Sequence, residues 1–177
     1  MSFDFSARPE SGEFGSFHAG YVAAVPPGDI RETLARESAA AAAFYGAIPE
    51  GRAGFAYAPG KWTVREVLAH IADSERVFSY RALRFGRGDR TPLAGFDQDP
   101  WVPESHAATR PWPELVADFT AVRTASLHLF RSFAESDWAR RGEASGIEVS
   151  VRAIAFIVAG HELHHRRILV ERYGISG

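Results

Sequence analysis

Close to the C-terminus, the run Gly160-His161-Glu162-Leu163-His164-His165-Arg166-Arg167 carries three of the chain's seven histidines. On a helix, His161 and His165 lie about 40° apart and one turn from each other, so two imidazoles can share one metal ion. Ile154, Ile157, Val158 and Ile168 all fall within about 60° of His161 on the same wheel. The pair therefore points into the apolar face. His164 sits at the edge of that face, and Glu162 about 100° away from His161. Imidazoles pushed into a core must be satisfied there, by hydrogen-bonded neighbours or by a metal ion. A helix with such a face must also pack against others, which limits the folds open to the chain.

The 177 residues suffice for one domain with a substantial core. There is no cysteine, which removes disulfides, thiolate ligands and a cysteine nucleophile together. Any metal site must then use histidine and carboxylate. The net charge of −2 and the absence of basic runs argue against a nucleic-acid partner. Met1-Ser2-Phe3-Asp4-Phe5 lacks the basic and apolar regions of a signal peptide, and no apolar run reaches the length of a membrane span. The expectation is a soluble, cytoplasmic protein acting on a small molecule.

Residues 1–28, rich in glycine, proline and aromatics, read as an irregular arm packed on the body through Phe3, Phe5, Phe14 and Phe17. His18 within it reads as a surface residue. Residues 29–177 form the domain proper. Asp29 with Glu32 resembles a capping box opening a helix over 30–47, and Ile48-Pro49 stops it. Thr63 with Glu66 is a second box, followed by the stripe Val64, Val67, Leu68, Ile71 and Phe78 to about Phe85. His70 lies at the border of that stripe, with Asp73 one turn further on. A proline-marked connection from Asp89 to Trp112 is long enough to be functional or a topological crossover. Asp97, Asp99, Trp101 and His106 could line a pocket there, although most read as solvated. Pro111-Trp112-Pro113-Glu114 starts a third helix, striped by Leu115, Val116, Phe119, Val122, Leu127, Phe130 and Phe133, with His128 facing solvent. Arg140 to Glu148 reads as a loop or short hairpin, and Ser150 caps a last helix from Val151 to about Tyr173. Four long helices and one long crossover predict an all-α four-helix bundle. Metal sites in bundles form from inward residues on facing helices, which is where His70 can meet His161 and His165.

Three neutral imidazoles leave a divalent ion open to water or substrate, as catalytic sites require. Zinc is the default, and nickel and iron also suit imidazole. Asp73 and Glu162 are candidates to hydrogen-bond the ligand rings or to move a proton. The stretch His161-Glu162-Leu163-His164-His165 also matches H-E-x-x-H, in which the glutamate of a metallopeptidase is the general base. The extended peptidase motif fails, because Ile168 stands in place of its glycine and Glu171 in place of its third histidine.

The segment Gly60-Lys61-Trp62-Thr63-Val64-Arg65-Glu66-Val67-Leu68-Ala69-His70-Ile71-Ala72-Asp73-Ser74-Glu75, together with Gly160-His161-Glu162-Leu163-His164-His165, resembles the DinB-like superfamily, and within it the YfiT-like metal-dependent hydrolases. Gly95-Phe96-Asp97-Gln98-Asp99 is also similar to that subgroup. The resemblance implies a four-helix bundle with a long crossover, frequently a homodimer, with Trp101 or Trp112 available to the interface. It implies a three-histidine site for zinc, nickel or another divalent ion, with ligand positions at His70, His161 and His165 and not at His164. Relatives include enzymes that use low-molecular-weight thiols. Three readings therefore stand: a metal-dependent hydrolase, a thiol-dependent transferase on the same site, and a non-enzymatic, stress-associated metal-binding bundle.

Overall fold

The computed structural model describes residues 3–176. The long helices are α2 (Ile30–Ala47), α4 (Val64–Gly86), α6 (Trp112–Arg131) and α7 (Val151–Glu171), with shorter ones at α1 (Ala19–Ala24), α3 (Glu50–Ala53) and α5 (Gln98–Glu104). One antiparallel hairpin, β1 (Arg141–Ala144) and β2 (Ile147–Ser150), leads into α7. Its two-residue turn holds Ser145 and Gly146 at φ 58° and 73°, the left-handed pair that a tight hairpin turn requires.

Helix starts follow local chemistry. Thr63 Oγ1 accepts from Glu66 N at 3.3 Å while Glu66 Oε2 accepts from Thr63 N at 2.7 Å, closing the predicted box. Ser150 accepts from Ala153 N and caps α7. At Asp29 the expectation differs from the outcome. Its carboxylate accepts from Arg31 N at 2.8 Å and pairs with the Arg31 side chain, so Glu32 closes no box.

Helix α4 packs against α6 and α7, and α2 packs against the same two. The core comes in two apolar clusters. One gathers Ile30, Leu34, Phe85, Phe130, Trp138 and Ile154; the other gathers Tyr45, Leu68, Leu115, Phe119, Leu169 and Tyr173. Helices α2 and α7 run from the first cluster to the second, whereas α4 and α6 run from the second to the first. The neighbours α4 and α6 are therefore parallel, and the connection over 87–111 must return the chain along the bundle. That is the physical reason for the long crossover.

Between the clusters, every long helix except α2 passes through a layer of buried polar side chains: His70, Ser74 and Glu75 on α4, Arg123 and Ser126 on α6, His161 and Glu162 on α7. Across this layer Arg123 Nε donates to both carboxylate oxygens of Glu75 at 2.9 Å. Both side chains are at most 2 % exposed.

Three expectations about surface and arm give way. Trp112 is buried, its Nε1 donating to the Tyr45 carbonyl at 3.1 Å, so it is not available to an interface; Trp101 is exposed. Phe17 is 74 % exposed, while Phe5 is buried against Trp138. The segment before residue 29 is not wholly irregular: α1 packs along α7, and the buried Glu13 carboxylate accepts from Ser150 Oγ at 2.7 Å and pairs with Arg152. The crossover likewise contains α5, which accommodates Pro100 in its first turn and Pro103 near its end. No helix among the described residues is long and apolar enough to cross a membrane.

Candidate metal centre

Helix α7 presents His161 and His165 one turn apart, and α4, antiparallel to it, brings His70 opposite them. His161 Nε2 lies 3.1 Å from His70 Nε2 and 3.1 Å from His165 Nε2. One ligand atom from each residue lies within 4.8 Å of the other two. Two nitrogens each about 2.05 Å from a tetrahedral zinc would stand about 3.3 Å apart. The observed spacing thus fits a shared divalent ion. Burial drives His70 down to about 4 and His165 down to about 3, and holds His161 well below the ordinary imidazole range. All three are neutral near pH 7, the protonation state that binds metal. With each ring protonated at Nδ1, three Nε2 lone pairs would converge, an arrangement that a cation among them relieves. Ser74 Oγ lies 3.4 Å from His70 Nδ1, placed to accept the proton that Nδ1 carries when Nε2 faces the centre.

Aromatic rings wall the centre. Trp62 packs on His70 with ring centroids 4.8 Å apart, and Tyr21 on His161 and His164 at 5.2 Å each. Phe78 meets His161 edge-on. His70, His161 and His165 together line a cleft of about 330 Å³ that also reaches His18, Arg81 and Phe96. His18 is thus half-buried beside the centre, with its basicity lowered by burial and then by Arg81, and is not the free surface residue its loop position suggested. On the other side of Trp62, His165 also borders a depression of about 420 Å³ containing Tyr57, Lys61 and Asp99.

Tyr21 comes from α1, and α1 reaches α7 only because residue 160 is glycine. A Cβ there would lie 1.9 Å from the Tyr21 carbonyl oxygen and 2.5 Å from its carbon. Backbone cannot yield as a flexible side chain does. Gly160→Ala should therefore displace α1, cost about 1–3 kcal/mol or more, and speed proteolysis within residues 15–29. Unchanged protease resistance and stability would show that α1 is not held as described.

The two carboxylates singled out from sequence do not join the histidines. Asp73 pairs with Arg76 at 2.9 Å on the half-exposed side of α4. Glu162 is fully buried on another face of α7, where Tyr45 Oη donates to its Oε1 at 3.1 Å and Arg166 Nε lies 3.3 Å from the same oxygen. Burial raises its pKa, and Arg166 and Arg123 oppose the rise. His128 is exposed as expected, and so is His106; Asp97 caps α5. Sequence reading missed Tyr21, Trp62, Ser74 and Phe78 as neighbours. Ser74 was legible, since it stands one turn after His70, as Asp73 nearly does. Tyr21 carried no signal, because only the docking of α1 makes it a neighbour.

Residues 33–169 match the family model of the DinB superfamily. The chain belongs to the DinB superfamily. Among solved structures, this DinB chain is similar to YfiT from Bacillus subtilis, described as a probable metal-dependent hydrolase with an unusual four-helix bundle topology. The two share 18 % identity and a TM-score of 0.65, over 97 % of this chain and 95 % of that one. At that identity the likeness concerns the fold. No curated protein sequence matches the chain.

Proposed function

We propose that this DinB-superfamily protein is a divalent-metal-dependent hydrolase of small molecules, with His70, His161 and His165 as the metal ligands. The observation that carries the reading is that the three histidines whose Nε2 atoms converge all line one cleft. A structural or incidental ion would need no such access, whereas catalysis requires it. The description of YfiT as a metal-dependent hydrolase points the same way. A divalent ion in this set supplies Lewis acidity and makes water nucleophilic near neutral pH. The chain contributes the rest. Neutral imidazoles hold the site on one side, Ser74 fixes the His70 ring, and Tyr21, Trp62 and Phe78 exclude bulk water. The sequence offers no cysteine nucleophile, and in this reading the attacking group comes from solvent or co-substrate. Peptidase chemistry on Glu162 is disfavoured, because its carboxylate is engaged by Tyr45 and Arg166 within the core.

The test begins with metal analysis of untagged protein after equilibration with zinc, nickel and ferrous ion. One ion per chain is expected. Turnover of a panel of esters, amides and electrophiles follows, with and without added low-molecular-weight thiol. Thiol-independent hydrolysis is the expected result. Activity only with thiol would make the protein a transferase, and failure to bind any of the three ions would remove the metal reading.

A further inference from the structure

The cleft that opens onto the histidines ends, away from them, at Arg81. This arginine is only 6 % exposed, and no carboxylate among the described residues pairs with it. Its Nη2 donates to the Ala94 carbonyl at 3.1 Å and to Ser145 Oγ at 3.0 Å. A guanidinium has five N–H groups, and those on Nε and Nη1 have no acceptor among the described residues. None of its nitrogens is both sealed from solvent and unpartnered, so the free ones open onto the cleft. Burial disfavours the charge, and no acidic group acts to restore it. The cleft lining contains no aspartate or glutamate, and the other titratable group near Arg81 is His18.

A buried cation without a counter-ion is costly, and evolution ordinarily supplies a partner. The other buried arginine of this fold, Arg123, has Glu75. A role purely as a staple between α4, the crossover and the hairpin would be satisfied by Nη2 alone and needs no charge. Aromatic rings line the space between the two ends: Phe78 neighbours His161, Phe96 neighbours Phe78, and Arg81 lies against Phe96 with its guanidinium carbon 5.6 Å from the ring centroid. One cation matches one negative charge. A doubly charged phosphate ester would leave charge unpaired in this apolar setting.

We propose that the substrate is a small, largely apolar molecule bearing a single carboxylate, which Arg81 binds while its reacting bond lies at the histidines. The assignment of the reacting end rests on the metal-site reading above; the anion site does not. Arg81 is a binding residue that sets specificity and orientation.

Calorimetric titration with 4-phenylbutyrate, its neutral amide and phenyl phosphate tests this on metal-free and zinc-loaded protein. The carboxylate should bind both forms, more tightly than the amide or the phosphate. Arg81→Gln should weaken carboxylate binding about tenfold or more while shifting the amide by less than about twofold. Arg81→Lys, which keeps the charge, should recover part of the loss, and zinc stoichiometry should be unchanged in both variants. A staple alone would lower the melting temperature of Arg81→Gln without altering the carboxylate-to-amide ratio, which overturns the proposal. So would carboxylate binding that requires zinc and ignores Arg81, a preference for the phosphate, or no binding of the carboxylate by either form. Carboxylate binding through Arg81 in a protein that takes up no zinc would leave the anion site standing and remove only the metal reading.

Discussion

Replacing His161 by alanine should abolish the protein's thermal response to divalent metal. His161 Nε2 is the middle member of the three, 3.1 Å from each neighbour, so its loss leaves two nitrogens on different helices. An ion that binds only the folded chain stabilises it by about 4 kcal/mol at a thousand times its Kd. For a domain of this size, each kcal/mol raises Tm by about 2–4 °C. Wild-type protein should therefore melt about 8–16 °C higher with saturating zinc or nickel, and His161→Ala should show almost none of that shift. His128→Ala is the control, since His128 is exposed and remote from the cleft. A His161→Ala variant that kept the full shift would mean the ion binds elsewhere.

How much of this centre was legible beforehand depends on which physical rule set each part. The helical period fixed the inward phase of His161 and His165, because one face of α7 must be buried and the isoleucines mark it. The caps at Thr63 and Ser150 fixed where α4 and α7 begin, and the prolines before Glu114 fixed α6. The length of the 89–112 connection allows a topological crossover, and the placement of the two apolar clusters shows what it joins, the parallel neighbours α4 and α6. What stayed hidden is what depends on docking. A glycine at 160 is unfavourable inside a helix, and only the docked backbone of α1 shows what it serves. Trp112 was misplaced because a tryptophan beside two prolines reads as a loop residue, whereas its indole N–H finds the Tyr45 carbonyl in the core.

The carboxylates show a different failure. Asp73 and Glu162 are close in sequence to the histidines, yet on a helix Glu162 points about 100° away from His161, and Asp73, three residues on, about 60° away from His70. That rotation carries Glu162 off the cleft toward Tyr45 and turns Asp73 toward Arg76. Periodicity applied to charged residues would have done better. Arg123 lies four residues after Phe119 and seven before Phe130, so it falls on the buried stripe of α6. Glu75 lies four residues after Ile71 on that of α4. Two opposite charges on two inward faces predict a buried pair, which is what the polar layer contains.

That pair carries the largest stability effect expected from one side chain outside the metal centre. Arg123→Ala should lower the unfolding free energy by about 3–5 kcal/mol, the usual cost of leaving the other charge buried and alone. Glu75 would lose the Nε donor 2.9 Å from both its oxygens, and Glu162, whose Oε2 has no hydrogen-bond partner among the described residues, would lose a nearby positive charge. The double variant Arg123→Met with Glu75→Leu should recover most of the loss, because well-packed apolar side chains need no desolvation of charge. Urea denaturation measures both, provided the slope with denaturant stays constant across the variants. The comparison also separates stability from site geometry. Should the double variant regain stability yet bind metal as wild type does, the pair serves to lock α4 onto α6. Should it regain stability but lose metal affinity, the polar layer also holds His70 in register with His161. A cost below about 1 kcal/mol for Arg123→Ala, the value typical of exposed pairs, would show that the layer is hydrated and the ion pair incidental.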